Sequence, residues 1–178
     1  RGHARDFDEW DSEGATGWHY RNVLPYFRKA ETWAFGGNDY RGDKGPLGVN
    51  NGNNMQNPLY KAFIRAGSDA GYFETDDYNG TQQEGFGAMH MTVKNGRRWS
   101  TANAYLRPAM ERDNLTVVTH ALVHKVLLDG RDGKTATGVR YEQGGKVHEA
   151  KAAEEVILSA GSIGSPHLLQ LSGIGKRE

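Results

Sequence analysis

The stretch from Glu154 to Gly175 restricts what this chain can fold into more than any other. Val156, Ile157 and Leu158 make a short apolar run of the kind a buried strand needs. Ala160, Gly161, Ser162 and Gly164 follow. All are small, so another backbone or a ligand can come close. Ser165 offers an N-cap oxygen, and Pro166 suits a first helical position because it has no N–H to leave without a partner. Leu168, Leu169 and Leu171 give the helix an apolar side, and Gly173 and Gly175 stop it. The spacing predicts a strand, a tight turn of small residues at Ala160 and Gly161, and a helix from about Ser165. Such a turn aims backbone N–H groups past the carboxyl end of the strand, a good place for a phosphate or an adenine. The same wording also serves a buried strand–helix turn that binds nothing.

Composition narrows the classes. The 178 residues carry 22 basic and 22 acidic side chains, with no basic stripe for nucleic acid and no acidic tail. Cysteine is absent, which excludes disulfides, thiolate chemistry and Cys-ligated metal. No apolar run approaches the roughly 18 residues of a transmembrane helix. Glycine is frequent, at 24 residues, and hydrophobic residues make up a modest 37%. That fits a loop-rich piece of a larger globular protein better than a self-sufficient core. There is no initiator Met and no signal-peptide pattern, and both ends read as cuts.

Along the chain, Asp6, Asp8, Glu9 and Asp11 surround Phe7 and Trp10. They read as a solvated turn, with paired carboxylates for acid–base work as the sharper alternative. Residues 18–31 predict an amphipathic helix with Val23, Leu24, Tyr26, Phe27 and Ala30 on its apolar side and Pro25 in its first turn. Residues 35–55 predict a long surface loop with turns at Tyr40-Arg41-Gly42 and Gly45-Pro46-Leu47. Asn57 or Pro58 starts a helix whose buried stripe is Leu59, Ala62, Phe63 and Ala66, and Gly71 ends it. Residues 89–93 predict a strand, Asn95-Gly96 a tight turn, and Ser100 or Thr101 caps a short helix to Met110. Arg97 and Arg98 beside Trp99 read as a solvated turn with a packed tryptophan, an anion site being the alternative. Residues 115–128 predict one or two strands. Residues 138–143 and 147–150 predict a pair joined at Gly144-Gly145, and residues 156–159 the last strand. The fold class is α/β with α+β elements: an antiparallel meander that feeds a parallel-type strand. None of the seven histidines has the spacing of a His-Glu-x-x-His site, and no Gly-x-Ser-x-Gly elbow occurs.

Gly161-Ser162-x-x-Ser165-Pro166-x-Leu168-Leu169-x-x-Ser172-Gly173-Ile174-Gly175 resembles, at every defined position, the second signature of the glucose–methanol–choline (GMC) flavoprotein oxidoreductases. Gly17-Trp18-His19-Tyr20, Val23-Leu24-Pro25-Tyr26-Phe27, and Asn114-Leu115-Thr116-Val117 with Leu122–Leu127 are similar to other segments of that family. The resemblance runs nearly the whole length and matches the family's middle. It implies FAD as cofactor, with backbone groups of Val123 at the adenine and Ala160 and Gly161 beside the phosphate half. It implies that residues 1–57 are a helix and long loop covering the flavin domain. Residues 58–99 would be part of a substrate-binding domain, and 100–178 the central part of the FAD-binding domain. The family's late catalytic histidines and its Gly-x-Gly-x-x-Gly pyrophosphate cradle have no counterpart here. No catalytic residue and no metal ligand are therefore expected in this chain.

Asn57-Pro58-Leu59-Tyr60, the run from Gln82 to Gly87 and the run from Gly96 to Ala102 are most similar to the family's bacterial choline-oxidising members. The implied activity of the intact parent is oxidation of choline to betaine aldehyde, with hydride passing to flavin N5. An electron acceptor is the second partner, and the expected location is cytoplasmic or peripherally membrane-associated. Trp99, Tyr78 and Phe86 are candidates for an aromatic cage around a quaternary ammonium, plain packing being the alternative for each. Two further readings stay open: a GMC dehydrogenase for another primary alcohol, and an interaction module with no redox role.

Overall fold

A computed structural model of the chain describes residues 1–51, 56–129 and 133–175. The chain divides into two compact units, Arg1–Leu115 and Thr116–Glu178, both of mixed helix and strand.

The first unit opens with α1 (Ala4–Ser12). The acidic cluster lies on this helix and not in a turn, because His3 and Asp6 cap it reciprocally. The His3 ring accepts from the Arg5 N–H (3.1 Å), and the Asp6 carboxylate accepts from the His3 N–H (2.8 Å). In α2 (Tyr20–Ala30) the cap is again a histidine, His19, whose Nδ1 accepts from the Arg21 N–H (3.4 Å). Pro25 lies inside α2 and not in its first turn. A proline there takes an N–H from the carbonyl one turn back, at Arg21, and both residues are exposed, where water can serve instead. The buried Phe7 joins the two helices, its ring meeting those of Trp10 (5.4 Å), Tyr20 (6.1 Å) and Phe27 (5.7 Å).

β1 (Glu31–Trp33) pairs in parallel with β2 (Leu47–Val49). The expected surface loop of residues 35–55 therefore contains a strand, and its residues 52–55 lie outside the described residues. The intervening chain turns back hard against the end of α2. A Cβ on Gly42 would sit 1.8 Å from the Arg28 carbonyl oxygen, so only glycine fits that approach.

α3 (Pro58–Asp69) starts as its sequence predicts: Asn57 Oδ1 accepts from the Leu59 N–H (3.0 Å). The helix ends at Ala70, and Gly71 follows with φ +87°. Its stripe is not buried, however. Leu59 is 71% and Phe63 68% exposed, and Ala62 and Ala66 are exposed with them. Only Gly67 of this helix is buried, pressed against the Phe86 ring, which also meets Phe63 (5.3 Å) and Tyr72 (5.6 Å). The expected strand at 89–93 reduces to a bridge between Met91 and Asn50 and to β3 (Val93–Lys94). β3 pairs with β4 (Arg97–Arg98) across Asn95 (φ +52°) and Gly96 (φ +70°), the tight turn expected there. A π-helical stretch (Ala102–Leu106) runs on into α4 (Arg107–Ala109).

In the second unit β5 (Ala121–Leu128), β6 (Ala136–Gln143) and β7 (Lys146–Lys151) form the antiparallel meander, in that order. Gly144 and Gly145 make the β6–β7 turn, both at positive φ. α5 (Gly161–Leu171) packs on β5, with Leu168 and Val126 buried. Ser172 Oγ accepts from the Val126 N–H (2.8 Å) and donates to the Leu168 carbonyl (2.6 Å).

Three elements of this unit differ from expectation. Of the stretch 115–128, expected to hold one or two strands, only 121–128 is strand, and residues 116–120 join none. Residues 156–159 join no sheet among the described residues, and Ile157 is 76% exposed. A strand exists only where another strand offers it an edge, and none of the described residues does so. The helix also begins at Gly161 rather than Ser165, with Pro166 inside it. The Ser165 oxygen still serves the turn, accepting from the Ala160 N–H (3.0 Å).

Candidate functional site

The residues expected to meet a flavin all lie in the second unit. Val123 is 38% exposed on β5 and pairs with Tyr141. Directly after it the register slips, so that Lys125 faces Arg140 and His124 occupies a bulge. A bulge interrupts the ladder and turns backbone groups away from it. Ala160 and Gly161 form the exposed entry to α5, and Gly161 has φ +87°. A Cβ built on Gly161 meets nothing within 4 Å. The turn therefore has open space in front of it and a backbone conformation that favours glycine, and both features fit close approach of a phosphate or adenine. α5 and β5 hold the two places in one unit through the Val126–Ser172 bond, three strand residues from Val123. At about 3.3 Å per residue that bond lies roughly 10 Å along the strand.

The first unit holds a polar cluster that its sequence does not announce. Arg41, in a glycine-rich turn, is 1% exposed. Its Nε lies 3.2 Å from Glu31 Oε1, and its Nη1 lies 3.2 Å from Asp77 Oδ1. Its guanidinium sits 4.0 Å from the centre of the Trp33 ring. Burial pushes the Arg41 pKa below the ordinary arginine value, while Glu31 and Asp77 push it back. The side chain stays a cation, since arginine does not lose its proton in proteins. Glu31 Oε1 also accepts from the Gly42 N–H (3.2 Å) and pairs with Arg1 Nη2. His90 lies in the same cluster, between the rings of Trp33 (4.5 Å) and Tyr78 (4.3 Å). Its Nδ1 stands 3.2 Å from Asn79 Nδ2 and 3.5 Å from Arg41 Nη1. Burial, and then the Arg41 charge, hold the His90 pKa below its ordinary value. No motif marks these residues, because Arg41 stands 36 positions from Asp77 and 49 from His90 in sequence.

The candidates for an aromatic cage are each engaged in packing. Trp99 Nε1 donates to the Pro46 carbonyl (2.8 Å) with Lys94 over its ring. The Tyr78 hydroxyl accepts from the His90 N–H (2.9 Å), and Phe86 fills the space beside Gly67. Arg97 and Arg98 are exposed on β4, in keeping with a solvated turn. Beside α3 lies an apolar concavity of about 620 Å³ lined chiefly by Leu59, Tyr60, Phe63, Ile64, Met89 and Met91.

Comparison with known proteins joins these observations. The family model described as GMC oxidoreductase matches residues 1–178. The chain is 61% identical over 178 residues to oxygen-dependent choline dehydrogenase of Photobacterium profundum, covering 99% of this chain and 31% of that protein. It is 51% identical to the mitochondrial choline dehydrogenase of Mus musculus, covering 100% of this chain and 29% of that one. Among solved structures, an FAD-dependent oxidoreductase from Chaetomium thermophilum superposes with a TM-score of 0.83 at 30% identity, over 98% of this chain and 32% of that one. Pyridoxine 4-oxidase from Mesorbium loti superposes with a TM-score of 0.81 at 28% identity, over 98% and 34%. The chain thus spans about a third of the length of the relatives it matches.

Proposed function

This chain belongs to the GMC oxidoreductase family, and from that premise we propose that it is the central part of an FAD-dependent choline dehydrogenase. The intact parent oxidises choline to betaine aldehyde, a step of glycine betaine biosynthesis. The observation that carries the reading is 61% identity, across nearly all of this chain, to a protein named oxygen-dependent choline dehydrogenase. When bound, FAD supplies the two-electron acceptor for the alcohol. This chain contributes part of the seat. Backbone groups at Val123 contact the adenine half, and the Ala160-Gly161 turn lies beside the phosphates. The open space before Gly161 supports that placement. Residues 1–57 cover the flavin domain, 58–99 belong to the substrate-binding domain, and 100–178 to the FAD-binding domain. Among the described residues no helix is long and apolar enough to cross a membrane. The parent works in the cytoplasm or at a membrane surface, with a separate electron acceptor.

The test is turnover by the intact parent with an artificial acceptor. Choline is expected to outperform uncharged primary alcohols at equal concentration. Faster turnover of an uncharged alcohol selects the second reading, a GMC dehydrogenase for another primary alcohol. The structural likeness to an enzyme named for pyridoxine keeps that reading open.

A further inference from the structure

We propose that His90 is an acid-sensitive clasp that holds residues 74–91 onto the β1–β2 layer while its ring is neutral and loosens them when the ring takes a proton. The geometry at Nδ1 decides the tautomer. Two nitrogen donors face it: the Asn79 side-chain amide at 3.2 Å and Arg41 Nη1 at 3.5 Å. The guanidinium carries no acceptor, so Nδ1 is the acceptor and the ring proton sits on Nε2. The ring is stacked on Tyr78 and meets Trp33 at a tilt, and its side chain is 4% exposed, so it has little room to turn. Its own backbone N–H is tied to the Tyr78 hydroxyl (2.9 Å).

A proton on Nδ1 converts the shared acceptor into a third donor. The carboxylate beside it is that of Asp77, whose Oδ1 lies 3.7 Å away. That oxygen already receives the Asn79 N–H (2.8 Å) and Arg41 Nη1 (3.2 Å). Protonated His90 therefore competes with Arg41 for one carboxylate while standing beside the Arg41 charge. Glu31 is committed to Arg41, Gly42 and Arg1. Besides His90, the segment is tied to the layer by the Arg41–Asp77 pair that the protonated ring disturbs, by the contacts of Arg1 with Asn79 and Gln83, and by the Asn50–Met91 bridge.

The sign follows from linkage. The folded-state pKa of His90 is lowered from 6.5. The unfolded or locally opened chain therefore binds the proton first as pH falls. The clasp is at full strength above the ordinary histidine value and weakens as pH drops from there toward the lowered one.

The experiment is hydrogen exchange by mass spectrometry on the intact parent flavoprotein at about pH 7.5 and about pH 5.5, on either side of the ordinary histidine value, corrected for intrinsic rates, with wild type and His90→Gln. Glutamine keeps an acceptor and a donor but cannot charge. A severalfold acid-induced gain in exchange, confined to peptides covering 31–42 and 74–91, is expected in wild type and absent in His90→Gln. Equal pH dependence in both proteins, or none in wild type, overturns the proposal. If His90→Gln does not fold, the wild-type ring is titrated by NMR. A proton on Nε2 and a pKa below the ordinary value support the clasp, and an Nδ1 proton or an unshifted pKa overturns it.

Discussion

At Arg41 a guanidinium that is 1% exposed is balanced by two carboxylates, Glu31 and Asp77, and by the face of Trp33. Removing one member of a buried ion cluster leaves the others uncompensated. Arg41→Met is therefore expected to destabilise the parent by about 3–5 kcal/mol. A fall in the urea midpoint at unchanged slope would register the loss. At Gly161 two effects separate by size of side chain. Gly161→Ala adds only the cost of a left-handed backbone, about 1–2 kcal/mol, and is expected to keep FAD. Gly161→Leu also fills the open space before the turn and is expected to lose it. The ratio of flavin to protein absorbance after gel filtration reads both. Full flavin retention in the leucine variant excludes this turn from the cofactor seat.

Among the elements, α5 and β5 depend on one another through Ser172. Its hydroxyl sits between the Val126 N–H and the Leu168 carbonyl. Ser172→Ala leaves the N–H of the buried Val126 without that acceptor and is expected to cost about 1–3 kcal/mol. Accelerated amide exchange at Val126, beyond any change at the far end of β7, would mark the cause as local. α3 poses the opposite case. Its cap and stop are sound, yet its apolar residues face outward beside a concavity of about 620 Å³. An amphipathic helix forms from its own caps and spacing, but only packing decides what its stripe touches.

For the whole molecule the prediction concerns cofactor retention. Residues 1–178 alone are expected neither to hold FAD tightly nor to oxidise choline. The sequence has no Gly-x-Gly-x-x-Gly to receive the pyrophosphate at a helix N-terminus. Affinity falls about tenfold for each 1.4 kcal/mol of lost anchoring, so the contacts proposed at Val123 and Gly161 would be too few. The segment would be purified, mixed with excess FAD, desalted and scanned in the visible. A stoichiometric flavin band that bleaches with choline under anaerobic conditions would place the active site within these residues.

Local wording was enough for the Asn57 cap, for the turns at Asn95-Gly96 and Gly144-Gly145, and for the β6–β7 pair. Each is settled by groups within a few residues of one another, so the sequence alone carries them. The stretch from Gly161 to Gly175 carried the family by its resemblance to a known signature, not by a physical derivation. Histidine caps escaped notice because serine, threonine, asparagine and aspartate dominate that position. Only the tertiary structure decided the rest. Arg41 meets Asp77 and His90 from 36 and 49 residues away, and no spacing rule reaches that far. Whether residues 156–159 form a strand depends on an edge to pair with, and whether the α3 stripe is core depends on a surface to cover it. Those are properties of neighbours, and a run of apolar residues states only that neighbours would be welcome.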